Sequence, residues 1–168
     1  MRSPFPPSAP SDLNHTHACH LGMFQVSLLG MLAPMAEIFD APPTYRLELP
    51  AGTTSIWLDR DRLLSHVEGR FETAHCDLFL SSADEIVRRA KRVRFAHDCQ
   101  PMTSFEISTA ARIVKWAVTN GAALQSSNLL VQSPLIAMAA RSANVSVGNV
   151  LTVTNDRATW LRAIAVDG

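Results

Sequence analysis

The sequence lacks a surplus of either charge, a paired set of cysteines, an internal repeat and any motif that names a chemistry alone. Fifteen Lys and Arg balance fifteen Asp and Glu, so no global field draws the chain to nucleic acid, and such binding would need a local patch. The cysteines are three, Cys19, Cys76 and Cys99. An odd number at wide spacing argues against a disulfide framework and for a reducing, cytoplasmic setting. No apolar run reaches membrane-spanning length without a polar interruption. The nearest, LGMFQVSLLGMLAPMAEIF from Leu21 to Phe39, has only Arg2 as a positive charge ahead of it, which is poor for a secretion signal.

What is present suits a globular domain. Hydrophobic residues form 47% of the 168 positions and charged residues 18%, enough to bury a core and too apolar for a disordered chain. Residues 1–20 differ, with four prolines among Ser, Asn and His. Residues 1–44 are expected to be a flexible N-terminal segment, or partly an artefact of the assigned start, since Met23, Met31 and Met35 could each begin translation. His15, His17, Cys19 and His20 have zinc-capable side chains but no matching distant ligands. The folded part is expected over 45–168.

Strands alternate with helices along that part, which predicts an α/β fold with a small parallel sheet flanked by helices. Tyr45–Leu49 and Thr54–Leu58 read as strands. Leu63, Leu64 and Val67 read as a short helix closed by Gly69, and Leu78–Leu80 as a further strand. Ser82 with Glu85, and Thr103 with Glu106, have capping-box spacing. The second box predicts a helix with Ala110, Ile113, Val114 and Ala117 on one face, ending at Gly121. Ser126–Asn128 read as a loop. Ser133 and Pro134 then fit an N-cap and first helical residue. After Gly148 and Asn149, a strand at Val150–Val153 leads through Asp156 to a helix bearing Trp160, Leu161 and Ile164. Trp57, Trp116 and Trp160 lie on apolar elements and are assigned to the core. Cys99, in His97-Asp98-Cys99, invites a thiol nucleophile, but a semi-buried cysteine explains it as well.

Three acids follow expected strands: Asp59, Glu85 and Asp156. Carboxylates gathered at one sheet edge repel unless a cation neutralises them, and hard oxygen ligands suit Mg²⁺ or Mn²⁺. A metal held this way can activate water against a phosphodiester. Arg88 and Arg92, in the densest basic run, are spaced to share a helix face and hold RNA phosphates. Each acid also has a local explanation as a helix cap or a solvated charge.

SIWLDRDRLLSHV, LFLSSADEIVRRAKRV and SPLIAMAA followed by VLTVTND resemble, in order, elements of the PIN-domain ribonucleases. The resemblance spans about residues 54–166. It implies a PIN-like three-layer sandwich and a metal-dependent endoribonuclease of toxin–antitoxin type. Asp59, Glu85 and Asp156 would be the catalytic and metal-binding residues, with RNA as substrate, an antitoxin protein as partner and a homodimer left open. Arg60 stands where the family has a small residue, and Ser133 where an acid is expected, so a degenerate site is part of the expectation. The alternative is a non-catalytic α/β domain with a protein-binding or regulatory role.

Overall fold

A computed structural model describes residues 39–166. The expected N-terminal segment as far as residue 38, with its histidines, Cys19 and alternative starts, lies outside the described residues. The elements run β1 (Tyr45–Leu49), β2 (Gly52–Asp59), β3 (Arg62–Phe71), α1 (Thr73–Arg89), β4 (Val93–Cys99), β5 (Met102–Phe105), α2 (Ile107–Thr119), β6 (Leu124–Val131), α3 (Pro134–Asn144), a 3₁₀ turn (Val145–Val147), β7 (Leu151–Thr154) and α4 (Arg157–Val166). The sheet has the order β1-β2-β3-β4-β6-β7, and β5 pairs with β3 beyond the end of β4.

The sheet is mixed rather than parallel. β1, β2 and β3 form antiparallel hairpins, while β3, β4, β6 and β7 run parallel. The hairpins follow from short connections, which can join only antiparallel neighbours. At the second, Arg60 takes a positive φ of 55°, and Asp59 pairs with Arg62 directly across the turn. The α/β class and the flanking helices hold; the all-parallel order does not.

Edge strand β1 alternates, with Tyr45, Leu47 and Leu49 partly covered and Arg46 and Glu48 paired in solvent. The inner strands are covered on both faces and place apolar residues side by side, as at Ile56-Trp57 and Leu63-Leu64. The expected helix over Leu63–Val67 is the middle of the ten-residue strand β3. Gly69, expected to end that helix, sits in the strand at φ +73°, where the β3 pairing shifts register. A Cβ there would lie 2.4 Å from the Ala51 carbonyl oxygen, so the first hairpin turn packs here only against glycine.

The expected strand Leu78–Leu80 lies inside α1. That helix starts earlier than a Ser82 cap implies, because Glu72 and His75 close its first turn. The Glu72 amide donates to His75 Nδ1 at 3.1 Å, and the other ring nitrogen meets the Gly52 carbonyl at 3.2 Å. α2 stands where expected, but Glu106 is its N-cap rather than the third residue of a Thr103 box. The Glu106 carboxylate instead accepts from the Thr73 hydroxyl at 2.7 Å, joining two helix starts. Ser126–Asn128 belong to β6, not a loop. α3 begins as read, with Ser133 Oγ accepting from the Ile136 amide.

Three helices cover one face of the sheet and α4 covers the other. Phe79, Ile86, Ala117 and Ile136 pack with Ile56, Leu63, Phe95 and Val131 on the first face. Trp160 and Ile164 pack with Trp57, Leu64, Ala96 and Leu130 on the second, as assigned for two of the three tryptophans. Both indoles there are satisfied: Trp57 Nε1 donates to the Ala41 carbonyl at 2.8 Å, Trp160 Nε1 to that of Asn128 at 3.0 Å.

Candidate functional site

The three acids read as a metal site are not brought together. β2 runs against β3, so Asp59 lies where the parallel strands begin. Asp156 follows the opposite end of β7. The sheet separates them. Asp59 pairs with Arg62 at 2.6 Å. Glu85, well along α1, accepts from the Tyr45 hydroxyl at 2.6 Å and pairs with Arg89. Asp156 caps α4, accepting from the amide of Thr159 at 2.9 Å and from its hydroxyl, which holds the carboxyl below the usual carboxylate range. Among the described residues no three His, Cys, Asp or Glu side chains gather as a metal would require. Arg88 and Arg92 are both exposed. They share no helix face, because α1 ends at Arg89.

A second polar cluster sits at the other end of the sheet, on the α4 face. Asp98, 3% exposed, takes a 2.5 Å bond from Arg157 and a 3.2 Å bond from the Gln100 amide, and lies 3.3 Å from His66 Nδ1. Burial alone would raise its pKa, but these three donors together hold it below the ordinary value. Arg157 also reaches Gln100. The carboxylate is fully used in fastening the first residue of α4 to β4.

The first face is hollow. Between the sheet and the helices α1, α2 and α3 lies a cavity of about 220 Å³. Its walls are mostly apolar, with Phe79, Phe95 and Trp116 on one side and Ile136, Ala139 and Ala143 of α3 on another. The helical walls follow from small residues spaced along α2 and α3, which leave room that larger side chains would fill.

Register places a short polar row on the cavity floor. Ser65 of β3 pairs with His97 of β4, and Ser65 Oγ lies 2.9 Å from His97 Nδ1. Thr54 of β2, one row along on the same face, pairs with Val67. Thr54 is fully buried, lines the cavity, and its hydroxyl has no hydrogen-bond partner. Burial pushes the His97 pKa down to about 4, so the ring is neutral at pH 7. Cys99, also on the wall, is pushed up to about 12 by burial and by neighbouring Asp98. It is therefore a thiol rather than a nucleophilic thiolate at neutral pH. Neither Thr54 nor Ser65 stood out in the sequence, and His97 drew notice only as a neighbour of Cys99. The pairing that assembles them is the only signal, and it is not local.

This architecture, hairpin-led mixed sheet with helices on both faces, is that of a SpoIIAA-like fold. It is shared by an uncharacterized protein from the DUF3478 family with a SpoIIAA-like fold from Shewanella loihica PV-4. That crystal structure aligns with a TM-score of 0.55 at 13% identity, over 70% of this chain and 98% of that one. At such identity the likeness is one of fold. It overturns the PIN-domain resemblance, and with it the nuclease, hydrolase and toxin–antitoxin expectations that the resemblance carried. No family model matches the chain, and no curated protein does. Among the described residues no helix is long and apolar enough to cross a membrane.

Proposed function

We propose that the chain is a non-catalytic α/β binding domain of regulatory type, which takes a small, largely apolar ligand between its sheet and its three-helix layer. The observation that carries this reading is the cavity itself. Native interiors are close-packed, with few voids larger than a water, and an apolar cavity of about 150 Å³ already accepts benzene. A larger hollow with a few convergent polar groups is the usual form of a small-molecule site. The chemistry of the walls favours holding over transforming. A general acid or base works best with a pKa near the operating pH, whereas His97 is pushed to about 4 and Cys99 to about 12.

The test is thermal stability of the full chain with propylbenzene as probe. A ligand bound only by the folded state stabilises it by about 2.7 kcal/mol at a hundredfold excess over Kd. A rise in Tm that keeps growing with the logarithm of probe concentration above Kd is expected, and Ala139→Phe, which fills the cavity from the α3 wall, should abolish it. A Tm indifferent to apolar probes, or a rise that Ala139→Phe leaves intact, would sink the proposal.

A further inference from the structure

Resting on that reading, we infer that the ligand is an uncharged, mainly hydrocarbon molecule of roughly nine heavy atoms with one hydrogen-bonding oxygen, scaled from benzene in its smaller cavity, and that Thr54 receives this oxygen.

Among the described residues, the cavity walls carry no Lys, Arg, Asp or Glu. A carboxylate or ammonium placed there would lose its water and gain no counter-ion, a cost that ordinarily forces a group to neutralise or stay out. The ligand is thus uncharged. A pure hydrocarbon leaves the Thr54 hydroxyl as it is now, buried and without a partner. A buried hydroxyl left unpaired is costly, so an occupant that supplies the missing bond is favoured over one that does not.

The Ser65–His97 pair adds to this. If Ser65 donates to Nδ1, the ring proton is on Nε2; if Nδ1 donates to Ser65, the hydroxyl proton is spare. In either tautomer one donor remains over, and among the described residues the ring has no second hydrogen bond. Ser65 and Thr54 stand on adjacent rows of one sheet face, about 7–8 Å apart as diagonal neighbours. The floor therefore offers donors rather than charges, and a ketone, ester or alcohol oxygen fits it.

Three probes of similar size separate the possibilities at pH 7 with the full chain, by isothermal titration: propiophenone, propylbenzene and phenylacetate. Propiophenone should bind about 3- to 10-fold more tightly than propylbenzene, the worth of one hydrogen bond, and phenylacetate should bind at least 100-fold more weakly than either. Thr54→Val should reduce propiophenone to the affinity of propylbenzene without weakening propylbenzene, and Thr54→Ser, which keeps the hydroxyl, should retain the preference. Tight binding of phenylacetate, or a ketone preference that survives Thr54→Val, would overturn the inference while leaving the cavity a binding site. Failure of all three probes would instead remove the binding reading, and this inference with it.

Discussion

The two faces of the sheet are filled in different ways. Under α4, Trp160 is 1% exposed, and both its indole and that of Trp57 spend their one donor on a backbone carbonyl. Phe39 meets both rings, with centroids 5.1 Å from Trp57 and 5.9 Å from Trp160. Three aromatics and a few aliphatics close that face. Under α1, α2 and α3 there are more residues but a worse fit, with a cavity, an unpaired hydroxyl and a neutral histidine on the floor. One face has its polar atoms satisfied by the protein. The other leaves the Thr54 hydroxyl to be satisfied from outside, and that difference is what makes it the candidate site.

The sharpest way to break the contrast is at the packed face. Trp160→Ala should cost about 4 kcal/mol of unfolding free energy, as large-to-small core changes of aromatics do, measured by urea denaturation. A cost below about 1 kcal/mol would mean that this face is no better packed than the other.

The next effect belongs to the hollow face and to pH. His97 has a folded pKa of about 4 against an ordinary value of 6.5. Between those values the unfolded chain binds a proton that the folded chain refuses, so stability rises with pH across that window and is complete above it. From pH 7 down to pH 4.5 the loss should be about 2 kcal/mol, less than the full shift implies because the ring lines a cavity. His97→Asn should flatten the profile there. Asp61 and Asp98, whose pKa values are also lowered, act in the same sense but in a lower pH window. Their contribution is lost only as pH falls below about 4, so the two contributions separate.

The smallest effect sharpens the comparison within the hollow face. Thr54→Val keeps the shape and removes a hydroxyl that has no partner, so it should raise stability by about 1 kcal/mol. Thr109→Val should lower it by a similar amount, since the Thr109 hydroxyl donates to the Glu106 carbonyl at 2.6 Å. Equal effects of the two changes would remove the distinction between satisfied and waiting polar groups.

How much of this was legible in the sequence depended on whether the signal was local. Ser133-Pro134, the α2 face and the entry to α4 are written in neighbouring residues, and the structure has those elements where they were expected. β3 was misread because a strand covered on both faces loses the alternation that marks a strand, and Leu63-Leu64 then reads equally well as helix; β6 was read as a loop because Ser126, Ser127 and Asn128 are turn-forming residue types. The start of α1 was missed because its closing pair is Glu72 and His75 rather than a serine or threonine with a glutamate. The three acids illustrate a deeper limit. Asp59 and Asp156 both follow strands, but the direction of a strand within the sheet is not encoded next to it, and an antiparallel β2 sends Asp59 to the far edge. The cavity floor was invisible for the same reason. Thr54, Ser65 and His97 become neighbours only through inter-strand register.

The Phe39 contact with Trp57 and Trp160 has a consequence for synthesis. It joins residues from the two extremes of the described chain, a closure that can form only after the strands between them have assembled. A nascent chain leaving the ribosome has all the walls of the cavity by the time residue 153 has emerged, while the opposite face still waits for Trp160 and Ile164. Until those residues arrive, Trp57, Leu64 and Leu130 form an uncovered apolar strip. An uncovered apolar strip of this kind is prone to association until it is buried, and the last helix is what buries it.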